Sequence, residues 1–346
     1  MNQKVEKWDA LFVERDGNNA SQIRQDVESA WFRLAAKTRQ QDPFCSSPNW
    51  QLSFHDAFSP RRKLLVRNSS DSLIAFAEKK FSKADVCLTP IEPSWFFGNP
   101  LLGRGAVSLL ADTLIDLSKY YPNKLPKIVV SGIAPNGSVL QCLKKTLGGK
   151  FNLYRHSSGI QCSASLKGGI DGYLSRRSAN HRRKLKKGAT KVKRNGLSFE
   201  RHKPATALDA DIIFNRMISV ELTSWKGLHN CGMVGGSNEE FYRIMLRKLS
   251  RTQEGRVIFA QSNGDDIGFI FGGLIDTYYR GQQFSFNDDW REHSIGNLLQ
   301  YEQIKWLCEE GASRYDMGPL EGYRMGYKRH WTERKNHIET WILQEQ

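Results

Sequence analysis

Three stretches concentrate groups able to hold an anion or move a proton. "VELTSWKG" (220–227) places a carboxylate (Glu221), two hydroxyls including Ser224, the indole of Trp225 and the amine of Lys226 within eight residues. "GYRMGYKRHW" (322–331) sets three basic residues, Lys328 among them, between aromatics. A Lys that follows a Gly and adjoins an aromatic suits phosphate or carboxylate contact, and is also common on surfaces. Trp225 and Trp331 are more often core residues than binding plates. The third stretch, 284–318, contains a helix start: Ser294 reads as an N-cap ahead of Ile295, with Gly296 in the first turn and no Asp or Glu there. Gly costs about 1 kcal/mol relative to Ala inside a helix. It also permits close approach to backbone N–H groups that make an anion site. An ordinary capped helix has the same features, and the segment alone does not separate the two.

A fourth stretch, "YLSRRSANHRRKLKK" (173–187), carries seven Lys or Arg and no carboxylate. Residues 176–194 hold ten of the chain's basic side chains and no acid, leaving only +5 of the net +15 for everything else. Charge so concentrated, with Arg182 and Arg183 at its centre, favours an anionic partner. The segment reads as one helix over about 170–193, capped by Asp171 or Ser175 and ended at Gly196 as C′ residue. Such a helix is a spacer between two domains that also presents cations to a cleft.

The elements that must position these groups read as a duplicated unit. "LLVRNSSDSLIAFAEKKF" (64–81) and "RVIFAQSNGDDIGFIFGG" (256–273) are each an apolar strand, a polar turn and an apolar strand, aligned on Ile74 with Ile267. Each is followed by aromatic strand residues, an apolar helix (106–121; 294–311) and a further strand (127–133; 313–318). In the second helix Ile295, Leu298, Leu299 and Trp306 group together while Tyr301, Ile304 and Cys308 point elsewhere. That pattern fits a helix on a sheet, partly covered by another element.

The 346 residues suggest two domains. A 39% hydrophobic, 11% aromatic composition is that of a folded globular chain and argues against disorder. No apolar run approaches the roughly 20 residues of a membrane span, and the N-terminus lacks an apolar signal region, so a cytoplasmic protein is expected. The six cysteines are scattered, without C-x-x-C or zinc spacing; reduced thiols and no metal are expected. Cys231, in a glycine-rich loop beside a His, stays open as a nucleophile.

The set E-x-x-SWKG, hairpin, SIGNLL, EG-A-x-RYDMG and GYKR-x-W resembles the GNAT-type acetyltransferase domain of the CelD-like group associated with bacterial cellulose and exopolysaccharide. That group is in turn similar to Fem-type aminoacyl transferases. The resemblance covers about 165–335. It implies tandem GNAT-like α/β folds with mixed sheets flanked by helices: a degenerate domain at 1–165, a basic connecting helix at 166–196 and an acyltransferase domain at 197–346. It implies acyl-CoA, most simply acetyl-CoA, as co-substrate. The pantetheine would lie between two splayed strands and the pyrophosphate on Ser294, Ile295, Gly296, Asn297 and Leu298, although the usual Q/R-x-x-G-x-G/A loop keeps only Gly296. Basic helices ahead of the catalytic domain also occur in that family.

Motif position then assigns roles. Asp316 is the first choice for base or substrate-orienting carboxylate, and Glu221 the second. A backbone N–H near Phe286 is the oxyanion donor, and Tyr327 the donor to the leaving thiolate. Ser224, Trp225, Lys226, Lys328, Arg182 and Arg183 are placed against substrate or phosphate. The expected acceptor is an amine or hydroxyl of a small molecule, sugar, glycan or cell-envelope precursor. Two other classes stay open. One is a Fem-type transferase taking its acyl group from aminoacyl-tRNA. The other is an inactive polyanion or nucleic-acid binder, which is not favoured because no nucleic-acid reading motif is present.

Overall fold

A computed structural model describes residues 12, 23, 25–37, 42–82, 85–194, 196–322 and 325–346. Tyr323 and Arg324 of the 322–331 cluster, Asn195 of the expected helix stop and most of the N-terminal segment lie outside the described residues. The chain divides into two compact units, Met1–Gly159 with Asn336–Gln346, and Ile160–Lys335.

In the first unit α1 (Gln25–Lys37) and α2 (Pro48–Phe58) precede the first hairpin, β1 (Leu64–Asn68) and β2 (Ser72–Lys80). Then come β3 (Val86–Thr89), β4 (Leu101–Gly103), α3 (Ala106–Tyr120), β5 (Lys127–Ile133), α4 (Ser138–Leu147) and the start of β6 (Phe151–Ser165). The strands run β1-β2-β3-β5, with β4 on β2, and β3–β5 is a parallel pair. The last strand of the chain, β12 (Arg334–Glu345), returns to this unit and pairs antiparallel with β5. Its core is aliphatic, centred on Leu88, Leu110, Ile128 and Val130.

The second unit opens with α5 (Gly169–Ser175) and α6 (Ala179–Arg194) and continues through β7 (Leu197–His202), α7 (Ala207–Leu222), the short α8 (Trp225–Leu228) and α9 (Gly236–Arg251). The second hairpin, β8 (Gly255–Ser262) and β9 (Asp265–Ile275), leads to β10 (Tyr278–Phe286), α10 (Ile295–Glu309) and β11 (Arg314–Pro319). Strand order is β6-β11-β10-β9-β8-β7, with β10–β11 parallel. Asn263 and Gly264, both at positive φ, turn the hairpin, as a two-residue turn with right-handed strand twist requires. The expected repeat is present as topology, except that Trp95, Phe96 and Phe97, expected in its aromatic strand, lie in turn and loop, and the third strand of the first unit is β3, upstream of them. Both units run hairpin, antiparallel third strand, crossover helix and parallel fourth strand, and the chain is an α/β protein of mixed sheets flanked by helices.

The two faces expected of α10 go to two core clusters. Ile295, Leu298, Leu299 and Trp306 pack with Ile258 and Ile270. Ile304, with Tyr301 and Cys308, packs with Tyr173, Tyr279 and Tyr315.

The single basic helix is corrected to two. The chain breaks after Ser175 because Arg177 is needed inside: its side chain is buried, pairs with Glu333 and lies over the Tyr173 ring at 4.8 Å. Ser178 restarts the helix, its Oγ accepting from the His181 N–H, and Gly196 takes the left-handed φ of 63°. Both helices belong to the second unit. Leu185 is buried, Val192 packs with the Ile295–Leu298 cluster, and a Cβ at Gly188 would come within 2.9 Å of Leu298. The helix therefore lies along α10 with its cationic side outward.

His181, on α6, is buried edge-on against Trp331 at 4.7 Å. Burial first, then the neighbouring His330, Arg177 and Lys184, lowers its pKa to about 4. The unfolded chain takes this proton near 6.5, so the stability His181 confers is complete above pH 6.5 and is lost as pH falls toward 4. With allowance for solvent screening this amounts to roughly 1–2 kcal/mol. His181→Phe is expected to flatten the acid limb of a urea midpoint–pH curve between pH 6.5 and 4; an unchanged limb would show that other groups dominate it.

Candidate active site

The parallel ladder of β10 and β11 is short. It pairs Tyr278, Tyr279 and Arg280 with Arg314, Tyr315 and Asp316, and then stops. Beyond that point β10 continues on β9 alone as far as Phe286, and β11 on β6 alone as far as Pro319. Each strand has a register shift at the parting, between Gly281 and Gln283 on one and between Asp316 and Gly318 on the other. Stacked rings of Tyr279 and Tyr315, 5.3 Å apart, close the paired end.

A buried ionic cluster stands at the vertex. Asp316 accepts from Arg280 (3.1 Å) and the Gly318 N–H (2.8 Å) through Oδ1, and from Arg314 (2.5 Å) through Oδ2. The Arg280 guanidinium fills the space a Cβ at Gly318 would take, and Gly318 has φ 74°. Lys328 is also buried, donating to the carbonyls of Met317 (2.8 Å) and Pro319 (2.7 Å). Its pKa falls to about 8, chiefly through burial. Both of these residues are thus engaged with β11. Arg280 was not singled out in the sequence; an Arg inside an aromatic strand ("YYRG") was the available signal, since such a charge requires a buried partner.

Glu221 is placed differently. It ends α7 with no exposed surface; Oε1 accepts from the Met233 N–H at 3.1 Å, and Oε2 has no hydrogen-bond partner. A Cβ at Gly232 would collide with Glu221 Oε1, so the glycine loop folds directly over the carboxylate. Ser224 caps α8, accepting from the N–H groups of Lys226 and Gly227 and donating to the Glu221 carbonyl. Lys226 donates to Gln283 Oε1 (3.0 Å) and the Phe284 carbonyl (2.8 Å), and Gln283 in turn donates to the Tyr242 hydroxyl (2.7 Å). Burial lowers the Lys226 pKa, with Glu221 acting in the opposite sense. Gln283 and Tyr242 had no motif to mark them. Trp225 is half-buried near His229, and Cys231 is exposed, its N–H donating to the Lys226 carbonyl. Ser285, on β10 one residue beyond Phe284, is buried with an unpartnered hydroxyl.

The Phe284 ring is where these parts meet. The Lys226 ammonium lies 5.6 Å from its centroid and the Tyr327 ring 6.0 Å from it, edge to face. Burial, the main cause, with the Cys162 charge adding, pushes the Tyr327 phenol far above its ordinary range, so the proton stays on oxygen. Across the same ring lies the start of α10. Ser294 occupies the N-cap position in a left-handed conformation (φ 60°) and makes no side-chain cap bond, which corrects its expected capping role. The N–H groups of Asn297 and Leu298 reach the Ser294 carbonyl, and those of Ile295 and Gly296 precede the first intrahelical acceptor. The first turn contains no acid.

Gly296 has a packing reason as well. A Cβ there would stand 2.9 Å from the Phe284 ring and 3.2 Å from the Phe286 ring. Gly296→Ala is accordingly expected to cost about 1–3 kcal/mol by overpacking, read as a lowered urea midpoint. A wild-type midpoint would show that the rings yield freely.

Phe286 itself pairs with Gly268 on β9, and the residue skipped in the ladder is Gln282. Arg182 bonds to the Arg177 carbonyl and closes the break between α5 and α6, while Arg183 is exposed against Asn180. Lys186 and Lys187, just before Gly188 on α6, are exposed. Among the described residues no group of His, Cys, Asp and Glu has the arrangement to hold a metal ion, and no helix is long and apolar enough to cross a membrane.

The sequence model of the Acetyltransferase (GNAT) domain matches residues 175–329. Comparison with curated proteins finds no match. Among solved structures, FemX superposes with a TM-score of 0.64 at 10% identity, over 90% of this chain and 95% of that one. A conserved protein of unknown function from Bacteroides thetaiotaomicron gives 0.63 at 11% identity over 96% and 99%. L-PGS from Bacillus licheniformis gives 0.56 at 12% over 93% and 91%. At these identities the likeness is one of fold.

Proposed function

We propose that the second unit is an acyltransferase that moves an acetyl or longer acyl group from acyl-CoA to an amine or hydroxyl of a sugar, small molecule or cell-envelope precursor. The observation that carries this reading is the parting of β10 and β11 just past Arg280 and Asp316, beside the acid-free first turn of α10. The donor supplies a thioester, whose carbonyl carbon is the electrophile. Ile295 and Gly296 offer backbone N–H groups to its phosphates, and the edge of β10 from Gln282 to Phe286 that faces away from β9 offers N–H groups to the carbonyl oxygen. Glu221, with one oxygen unpartnered, takes the proton from the attacking amine or hydroxyl. Tyr327 keeps its proton through burial and gives it to the departing sulfur. Asp316, Arg280 and Arg314 hold the strands at the vertex, and Lys226 holds β10 through Gln283.

The direct test is thermal stabilisation by acetyl-CoA, longer acyl-CoAs, free CoA and tRNA, followed by thiol release with a panel of amines and sugars. Stabilisation by none of the CoA compounds would sink the reading. One observation favours a second donor, aminoacyl-tRNA: Lys184, Lys186 and Lys187 on α6 are exposed with no carboxylate partner among the described residues. Either donor is anionic, and charge reversal at Lys186 and Lys187 is expected to weaken its capture and flatten the salt dependence, leaving the rate at saturation little changed. A collapse of the saturated rate with binding intact would instead put this helix into the chemistry.

A further inference from the structure

A cavity of about 520 Å³ opens in the second unit at the start of β11, the end of the ladder opposite to the parting. Its wall includes the turn at Lys167 and Gly168, the Tyr278 ring, Cys308, Arg314 and Arg334. Three of the lining side chains are cations and none is a carboxylate. Several surface cations elsewhere in the unit are matched, Arg201 with Glu302 and Glu309, Arg216 with Glu200 and Asp266, Arg256 and Lys203 with Glu310. Of the carboxylates within two residues of the lining, Glu309 and Glu310 are engaged as above, Glu333 by Arg176 and Arg177 and Asp316 by Arg280 and Arg314, while Asp171 and Asp276 lie outside the lining. The end of α10 contributes little negative potential, because the Ala312 and Gly311 N–H groups close onto the Leu307 and Cys308 carbonyls. Lys167 and Arg334 have no ion-pair partner among the described residues and are exposed at the rim.

The volume is far larger than an inorganic anion needs and falls within the roughly 300–1,000 Å³ of small-molecule sites. Leu166 and Ala312 give the wall apolar surface beside the Tyr278 ring. Gly169 and Gly311, both at positive φ, have no atom within 4 Å of where a Cβ would stand, so the turns leave the cavity open. We propose that this cavity binds a phosphorylated small molecule of nucleotide size, separately from the donor at the parted strands. Its phosphate would be held by Arg314, Lys167 and Arg334, and its ring system would lie against the apolar wall. Arg314 lies over the Tyr278 ring at 5.2 Å and also bonds to Asp316, so this cavity and the vertex share a residue.

The test is calorimetry on the full chain at low salt with AMP, inorganic pyrophosphate and adenosine as probes, and free CoA as control. Saturable AMP binding is expected, with adenosine weaker by roughly tenfold or more because the charge-assisted contacts are lost. Lys167→Glu combined with Arg334→Glu, both at exposed positions, is expected to weaken AMP by at least about tenfold and to leave CoA affinity unchanged. Should charge reversal impair folding, the Lys167→Gln and Arg334→Gln pair serves the same comparison. No saturable binding of AMP or pyrophosphate up to millimolar concentration overturns the proposal. So does equal AMP affinity in the variant, or a parallel loss of AMP and CoA, which would mean a single shared site. AMP binding that the variant weakens, in a protein that does not bind CoA at all, leaves this site standing and removes the acyl-CoA reading instead.

Discussion

Glu221→Gln is expected to lower the maximal rate of acyl transfer by roughly 10²–10⁴-fold, the usual contribution of a positioned general base. The donor's affinity should change little. The substitution keeps shape and keeps an oxygen to accept from the Met233 N–H, so the loop over residues 231–236 should stay closed. What it removes is the proton-accepting capacity of the unpartnered Oε2. Because the loss is confined to the chemical step, the rate constant at saturation falls and the apparent Michaelis constant for acyl-CoA does not rise in proportion. Thiol release measured with the acceptor that best stimulates the wild type is the readout. Near-normal turnover in the variant would make Glu221 a structural carboxylate tied to Lys226 and the glycine loop.

Asp316→Ala should act first on stability, by about 3–5 kcal/mol, because it strands the buried Arg280 guanidinium and the partly buried Arg314 guanidinium without their shared carboxylate. Arg280 and Arg314 would be left to repel each other at the vertex, and the Gly318 N–H would lose its acceptor. Asp316→Asn should be milder, since the amide oxygen still accepts one or two of these bonds. A lowered urea midpoint with proportionate loss of activity supports a clamp at the base of the opening. A variant as stable as wild type but slower by two orders of magnitude or more would return Asp316 to the role of proton acceptor. The pair of carboxylates is thereby sorted by one comparison, stability against rate, made on the same preparations.

The elements were legible because their signals are local. The polar turn within 261–265, the apolar runs of β8 and β9 on either side of it and the two-sided apolar pattern of α10 each depend on residues within one or two turns, and each appears where the pattern puts it. Concentrated charge at 176–194 was equally plain, since it needs only counting. The break after Ser175 was not, because it follows from Arg177 reaching Glu333, 156 residues away. The carboxylates show the same division. From the sequence, Asp316 and Glu221 were two acids near a glycine and an aromatic, with Asp316 the better placed by motif. Their environments come from long-range packing: Arg280 is 36 residues from Asp316, while the loop folded over Glu221 leaves one oxygen without a partner. Gly296 illustrates why. A glycine reads in sequence as freedom of the backbone, and only the rings of Phe284 and Phe286 standing against it show that the space was already taken. The sequence by itself determined the order of elements, the repeat and the sign of the charge. Tertiary structure decided which polar groups are satisfied and which remain open, because that depends on contacts between residues far apart in the chain.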